Sequence, residues 1–122
     1  MTKSPKSTKG EEMTYDLEKR TLEFSRQVIR FCKTQQDSIS APIINQVIRS
    51  SGSVGANYIE ANEALSKKDF IRKVKISRSE AKETIFWLEN LKEIAPSKFI
   101  DGLLDESIQL KKILSSIIEK SC

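Results

Sequence analysis

The sequence of 122 residues contains no histidine, two cysteines, three prolines and four glycines. The absence of histidine removes the commonest general base, the commonest metal ligand and the side chain that usually titrates near neutral pH. The two cysteines, Cys32 and Cys122, match no spacing of a metal or redox motif. We therefore expect Cys32, which lies in an apolar helical stretch, to be a small core residue of a protein in a reducing compartment.

No apolar run approaches the ~20 residues that a helix needs to cross a bilayer. The first residues, MTKSPKSTKGEE, lack the apolar segment of a secretory signal. The pattern predicts a cytoplasmic protein with no membrane partner. The net charge of +4 permits an anionic partner without requiring one, so the distribution of charge matters more than its total.

Apolar residues recur with helical spacing, and β-branched residues do not alternate with polar ones, so the sequence predicts helices. Residues 1–13 are polar and are expected to form a disordered N-terminal tail. Residues 14–122 are expected to form four helices that begin near residues 14, 40, 66 and 97. Because the connections are short, sequential helices should be antiparallel. The predicted fold is an all-α, antiparallel up-down-up-down four-helix bundle.

Six of the seven positions from Ser50 to Ala56 are small residues. Their glycines do not form a phosphate-binding loop, because the spacing differs from that motif and no lysine follows. A glycine inside a helix costs about 1 kcal/mol relative to alanine, so its presence favours a close approach of two backbones. We expect Ser51 and Gly55 to let helices 2 and 3 approach closely. The alternative is a helix break at Gly52 or Gly55, which the continuing apolar phase disfavours.

Helix 3 has a predicted cap at Ser66, with Asp69 three residues later. Seven of its residues recur at alternating spacings of four and three, which is typical of a buried seam between helices. They are Phe70, Val74, Ser77, Ala81, Thr84, Leu88 and Leu91. Pro96 ends this helix. Helix 4 carries an apolar band wide enough for burial against two helices or against another subunit.

A basic stripe lies opposite the seam of helix 3. At about 100° per residue, five cations fall within a third of the circumference. They are Lys68, Arg72, Lys75, Arg78 and Lys82. Seven basic minus two acidic residues give the segment from Ser66 to Lys82 a charge of +5. Such a stripe predicts contact with the phosphates of RNA or DNA. The alternative is a solvated face whose cations pair with acids on helix 2, Glu60 and Glu63.

The stripe contains no aromatic residue for base stacking, which argues against sequence-specific reading of single strands. Three large apolar residues of helix 3, Ile76, Phe86 and Trp87, fall outside the seam. Large apolar groups away from the core face are typical of a partner surface. We therefore predict a homo-oligomer with these residues at its interface; the alternative is that helix 4 covers them within one bundle. A protein–protein scaffold with no nucleic-acid partner is the alternative function.

Three carboxylates, Glu60, Glu80 and Glu83, are expected on neighbouring helices, as in di-iron bundles. Those sites also use Glu-x-x-His pairs, which this sequence lacks. We expect the carboxylates to form ion pairs instead, with Arg49, Arg72 or Arg78. The sequence therefore predicts no metal, no cofactor, no small-molecule substrate and no enzymatic activity.

Four segments resemble a known bacterial family: SVGANY at 53–58 followed by Glu60-Ala61, SKKDF at 66–70, RSEAKET at 78–84 and WLE at 87–89. The family comprises four-helix-bundle proteins encoded by intervening sequences of 23S ribosomal-RNA genes. The resemblance implies a bundle that assembles into rings, typically homopentamers, with no established biochemical role. The family is similar to accessory proteins of diversity-generating retroelements, which are basic pentameric bundles that bind nucleic acid and a reverse transcriptase. That similarity implies that the basic stripe faces RNA or DNA.

Overall fold

The computed structural model describes the backbone of residues 9–122 and the side chains of residues 14–122. Four α-helices follow one another: α1 (Lys9–Thr34), α2 (Ala41–Asn62), α3 (Lys67–Ile94) and α4 (Lys98–Ser121). The described residues contain no β-strand. The all-α prediction is therefore confirmed.

The first helix begins at Lys9, earlier than the predicted start at Thr14. Residues 1–8 of the predicted tail lie outside the described residues, and residues 9–13 belong to α1. The predicted start was placed at the first residues of the apolar pattern. Lysine, glutamate and methionine have high helix propensity, so a helix can extend beyond the apolar pattern from which its start was predicted.

Helix α2 runs without interruption through Gly52 and Gly55, which confirms the predicted continuity. At Gly55, however, the close approach is to α1. A Cβ atom on Gly55 would lie 2.9 Å from Thr21 Oγ1 and 3.1 Å from Thr21 Cβ. The expectation that Gly55 faces helix 3 was wrong, because the apolar period identifies a side of α2 but not the neighbour packed there. Contact with α3 runs through other residues, where Thr84 Oγ1 donates to Ser50 Oγ at 3.0 Å.

Helix α3 confirms the predicted cap and seam. Ser66 Oγ accepts a hydrogen bond from the Asp69 backbone N–H at 3.1 Å. Six of the seven seam residues are buried, namely Val74, Ser77, Ala81, Thr84, Leu88 and Leu91, and Phe70 at the helix start is half-buried. The seam fixes the rotation of α3 and therefore decides which residues point to solvent.

Contacts between helices run in antiparallel order. Along α3, Lys73 contacts Glu60, Ser77 contacts Val54 and Thr84 contacts Ser50, so the α2 partner falls in number as α3 advances. The same order joins α1 to α4. Arg20 binds Glu106, and the rings of Phe31 and Phe99 stack 5.8 Å apart. The chain is an up-down-up-down bundle.

Helix α4 packs against both α3 and α1, which accounts for its wide apolar band. Its most deeply buried apolar residues are Ile100, Leu103, Leu110 and Leu114. Near the middle of α1 and α4, Arg20 Nε and Nη2 donate to the two Glu106 carboxylate oxygens at 2.7 and 2.8 Å. This bidentate pair joins the first and the last helix of the bundle.

Candidate nucleic-acid interface

The basic stripe lies on the solvent face of α3 because the seam occupies the opposite face. Four of its cations are exposed, namely Lys68, Arg72, Lys75 and Lys82. Arg78, the fifth, is half-buried. The structure therefore brings all five predicted residues to one side of one helix, with four of them exposed to solvent.

These cations have almost no acidic partners. Arg72 Nε lies 3.8 Å from Asp69 Oδ1 on the same helix, and both side chains are more than half exposed. An exposed pair of this kind contributes little. Within residues 14–122, the other four cations of the stripe form no ion pair. Most of the charge of the stripe is therefore uncompensated by acidic side chains of the described residues.

The acids on α2 do not neutralise the stripe. Glu60 accepts from Lys73 Nζ at 2.6 Å, and Lys73 lies on the α2 side of α3, outside the stripe. Glu63, the second predicted partner, is exposed and is in no ion pair of the described chain. The alternative of a stripe paired with helix 2 therefore finds no support in these contacts.

Two more lysines lie level with the stripe on α4. Lys92 Nζ is 2.9 Å from Asp101 Oδ1, which sets the register between α3 and α4. Antiparallel helices rise by the same ~1.5 Å per residue in opposite directions, so Lys82 lies level with Lys111. Lys111 is half-buried and Lys112 is exposed. Sequence reasoning missed both, because their level relative to the stripe depends on the register between two helices.

An ion-pair cluster occupies the α2–α3 boundary. Arg49 Nη1 is 3.1 Å from Glu80 Oε2, Arg49 Nη2 also binds Glu83, and Trp87 Nε1 donates to Glu83 Oε2 at 3.0 Å. The hydrogen bond from Trp87 and the pairing with Arg49 hold the pKa of Glu83 below its ordinary value. Hydrogen bonding to Glu83 raises the pKa of Arg49. Glu80 and Glu83 thus form the ion pairs that the sequence predicted, with Arg49 as partner.

The three residues predicted at an oligomer interface differ in exposure. Phe86 is 58% exposed, whereas Ile76 and Trp87 are half-buried. The Phe86 and Trp87 rings meet in a T-shaped contact with centroids 5.0 Å apart. Trp87 also packs against the hydrophobic core, so only Phe86 presents most of its side chain to solvent.

Two clefts lie between α1 and α4. One, of about 660 Å³, is lined by Phe31, Phe99 and polar residues such as Gln27 and Ser97. The other, of about 470 Å³, has a mainly apolar lining that includes Leu17, Tyr58 and Phe70. Neither is lined by Glu60, Glu80 or Glu83, the carboxylates weighed as a metal site. Glu60 lines a third cleft, of about 390 Å³, between α2 and α3, which does not include Glu80 or Glu83.

Among the described helices, none combines the length and the apolar character that a bilayer span requires. The described part of the chain also contains no group of three or more acidic or cysteine side chains placed to hold a metal ion.

Comparison with known proteins identifies the family. The model of the 23S rRNA-intervening sequence protein family matches residues 13–116. A crystal structure of a protein of unknown function from the S23 ribosomal protein family of Bacteroides thetaiotaomicron superposes with a TM-score of 0.78 and 32% identity. The match covers 84% of this chain and 97% of that one. No curated protein matches. The resemblance found in the sequence is thus confirmed, and the chain belongs to the 23S rRNA-intervening sequence protein family.

Proposed function

We propose that this protein is a non-catalytic bundle that binds the phosphate backbone of RNA or DNA through the basic stripe. The observation that carries the proposal is the lack of acidic partners for Lys68, Lys75, Arg78 and Lys82 within the described chain. Like charges three and four residues apart destabilise a helix. A polyanion bound along the stripe would relieve that repulsion.

The dimensions of the stripe suit a nucleic-acid backbone. Lys68 and Lys82 are 14 residues apart, which is about 21 Å along the helix axis. A strand of DNA carries one charge per ~3.4 Å, so several phosphates fit along this length. Binding of this kind releases counterions, and the affinity should fall steeply as salt rises.

The test is binding of labelled RNA and DNA at several salt concentrations. The variant Lys75→Glu with Lys82→Glu reverses the charge of two exposed, unpaired lysines. It should weaken the binding of single-stranded and of double-stranded nucleic acid. The matched control, Arg26→Glu with Lys33→Glu, makes the same charge change at exposed positions of α1. An equal loss of affinity in the two variants would show that net charge, and not the stripe, determines binding. Absence of binding by the wild type at low salt would refute the proposal.

The second candidate is self-association, which α1 and α2 support by their exposed apolar residues. Leu22 and Ile29 lie one heptad apart on α1, and both are exposed, as is Ile59 on α2. Helix α2 has no charged residue from Ser50 to Ile59. This combination suits an interface core, where charged residues are depleted. A homo-oligomer joined there would also present several basic stripes to one nucleic acid.

Light scattering tests the second candidate. Leu22→Lys with Ile59→Lys should lower the solution mass, because two charges would be buried in the interface. Trp87→Ala is the comparison for the interface predicted from sequence. A lower mass for Trp87→Ala alone would favour that predicted surface over α1 and α2. A monomeric wild type would refute self-association at either place and leave nucleic-acid binding intact.

The cytoplasm is the compartment consistent with both candidates, as expected from the sequence. Cys32 is buried, and burial raises the pKa of its thiol to about 11. This thiol is therefore a packing group and takes no part in either proposed activity.

A further inference from the structure

Phe86 lies in line with the basic stripe. It follows Lys82 by four residues, which is about 6 Å along the axis and about 40° around it. It therefore falls within the arc that the five cations span. With 58% of its surface exposed, Phe86 is an aromatic ring on the same solvent face as the lysines. From the sequence alone, the stripe ends at Lys82 and Phe86 is predicted at an oligomer interface.

A series of contacts holds the Phe86 and Trp87 rings in place. The Phe86 ring meets Trp87 at an interplanar angle of 79°. Trp87 is fixed by the hydrogen bond from its indole N–H to Glu83, which in turn binds Arg49 of α2. The Phe86 ring thus rests on a neighbour anchored to two helices. Preorganisation of this kind lowers the entropy lost when a ligand packs against a ring.

We propose that Phe86 stacks on an unpaired base of a single-stranded RNA or DNA whose phosphates lie on the basic stripe. The inference rests on the proposed function and narrows its ligand. In a duplex the faces of the bases are covered by their neighbours, whereas an unpaired base offers a free face. Phenylalanine has no hydrogen-bonding group to read a base edge, so this contact is tolerant of sequence.

The surroundings of Phe86 favour a base over a second copy of the chain. One turn before it stands Lys82 and just after it stands Glu89, and both are exposed. Charged residues, lysine and glutamate among them, are depleted at the core of protein interfaces. Single-strand sites, by contrast, combine cations for the backbone with aromatic rings for the bases. Glu89 and Glu93 lie beyond Phe86, and their negative charge would repel phosphates. The stacked base therefore marks one end of the proposed site.

The experiment compares a labelled single-stranded oligonucleotide with a duplex containing the same sequence. Phe86→Ala should weaken single-strand binding by about 5- to 150-fold and leave duplex binding within about twofold. Phe86→Tyr should retain the single-strand binding of the wild type, since tyrosine also stacks. Ile94→Ala, at another exposed apolar position of α3, is the matched control and should bind as the wild type does. Trp87 is the single tryptophan, so its emission should change with the single strand only.

The outcomes separate this inference from the proposed function. If Phe86→Ala binds single strands as the wild type does while Lys75→Glu with Lys82→Glu does not, stacking is refuted and backbone binding stands. If the wild type binds neither nucleic acid at low salt, both are refuted. If Phe86→Ala lowers the solution mass, Phe86 belongs to an interface between copies, and stacking is overturned. Circular dichroism of each variant confirms that the bundle is folded.

Discussion

The packing of α1 against α2 allows a sharp prediction at Gly55. Replacement by alanine would place a Cβ 2.9 Å from Thr21 Oγ1 and 3.1 Å from Thr21 Cβ. Thr21 is fully buried, and its hydroxyl donates to Leu17 and Glu18 carbonyl oxygens on α1. Because its side chain is β-branched and hydrogen-bonded, Thr21 cannot rotate away without losing those contacts. The two helices must therefore separate slightly.

Two opposing contributions determine how much Gly55→Ala changes the free energy of unfolding. Alanine is favoured over glycine inside a helix by about 1 kcal/mol. Overpacking in a core costs about 1–3 kcal/mol. We expect Gly55→Ala to lower the free energy of unfolding by about 1 kcal/mol net, within the range of these two terms.

The other helical glycines are matched controls. A Cβ on Gly52 would lie 3.7 Å from Ser25 Oγ, an ordinary contact, and a Cβ on Gly102 would meet nothing within 4 Å. Gly52→Ala and Gly102→Ala should each raise the free energy of unfolding by about 0.5–1 kcal/mol. The three substitutions have the same propensity term, so the sign at Gly55 isolates the contact with Thr21.

Urea unfolding followed by circular dichroism measures all three, at one protein concentration because self-association would shift the transition. In a Thr21→Ala background, which removes the 2.9 Å contact, the cost of Gly55→Ala should fall by about 1 kcal/mol. If Gly55→Ala stabilises the protein as much as Gly102→Ala does, α1 and α2 are not in this close contact and the reasoning fails.

Two further predictions concern titratable groups. The folded-state pKa of Glu83 is lowered, so its stabilising effect is present above the ordinary value of 4.5 and is lost as pH falls through the folded pKa. Glu83→Gln should therefore make stability less dependent on pH below about 4.5 in acid unfolding curves; an unchanged dependence would contradict this pairing. The Cys32 thiol is buried with a pKa of about 11, whereas Cys122 is exposed. One thiol should react quickly with a disulfide reagent and the second only after denaturation; two fast thiols would show that α1 opens readily.

Features of α3 that depend on a single helix could be predicted from the sequence. The Ser66 cap needs a serine three residues before an available backbone N–H, and the seam needs apolar and small residues at the helical period. The positions of the five cations follow from the same period, since they lie opposite the seam. Each of these is a local property, fixed by about 3.6 residues per turn.

Features between helices could not be predicted in the same way. The small residues of α2 indicated a close approach, but only the assembled bundle shows that Gly55 faces Thr21 on α1. The periodicity likewise placed both Phe86 and Trp87 outside the seam. The tertiary structure separates them, because Trp87 binds the Glu83 carboxylate and packs against the core while Phe86 remains exposed.

The sequence by itself determined four helices, their buried faces and a basic stripe on the third. Only the tertiary structure decided that the acids of α2 and the α2–α3 boundary leave this stripe unpaired, because Glu60 binds Lys73, and Glu80 and Glu83 bind Arg49. The physical reason is that the phase of one helix is set by its own residues. The partner that a charged side chain reaches depends on the rotation and register of the neighbouring helix, which the whole core fixes at once.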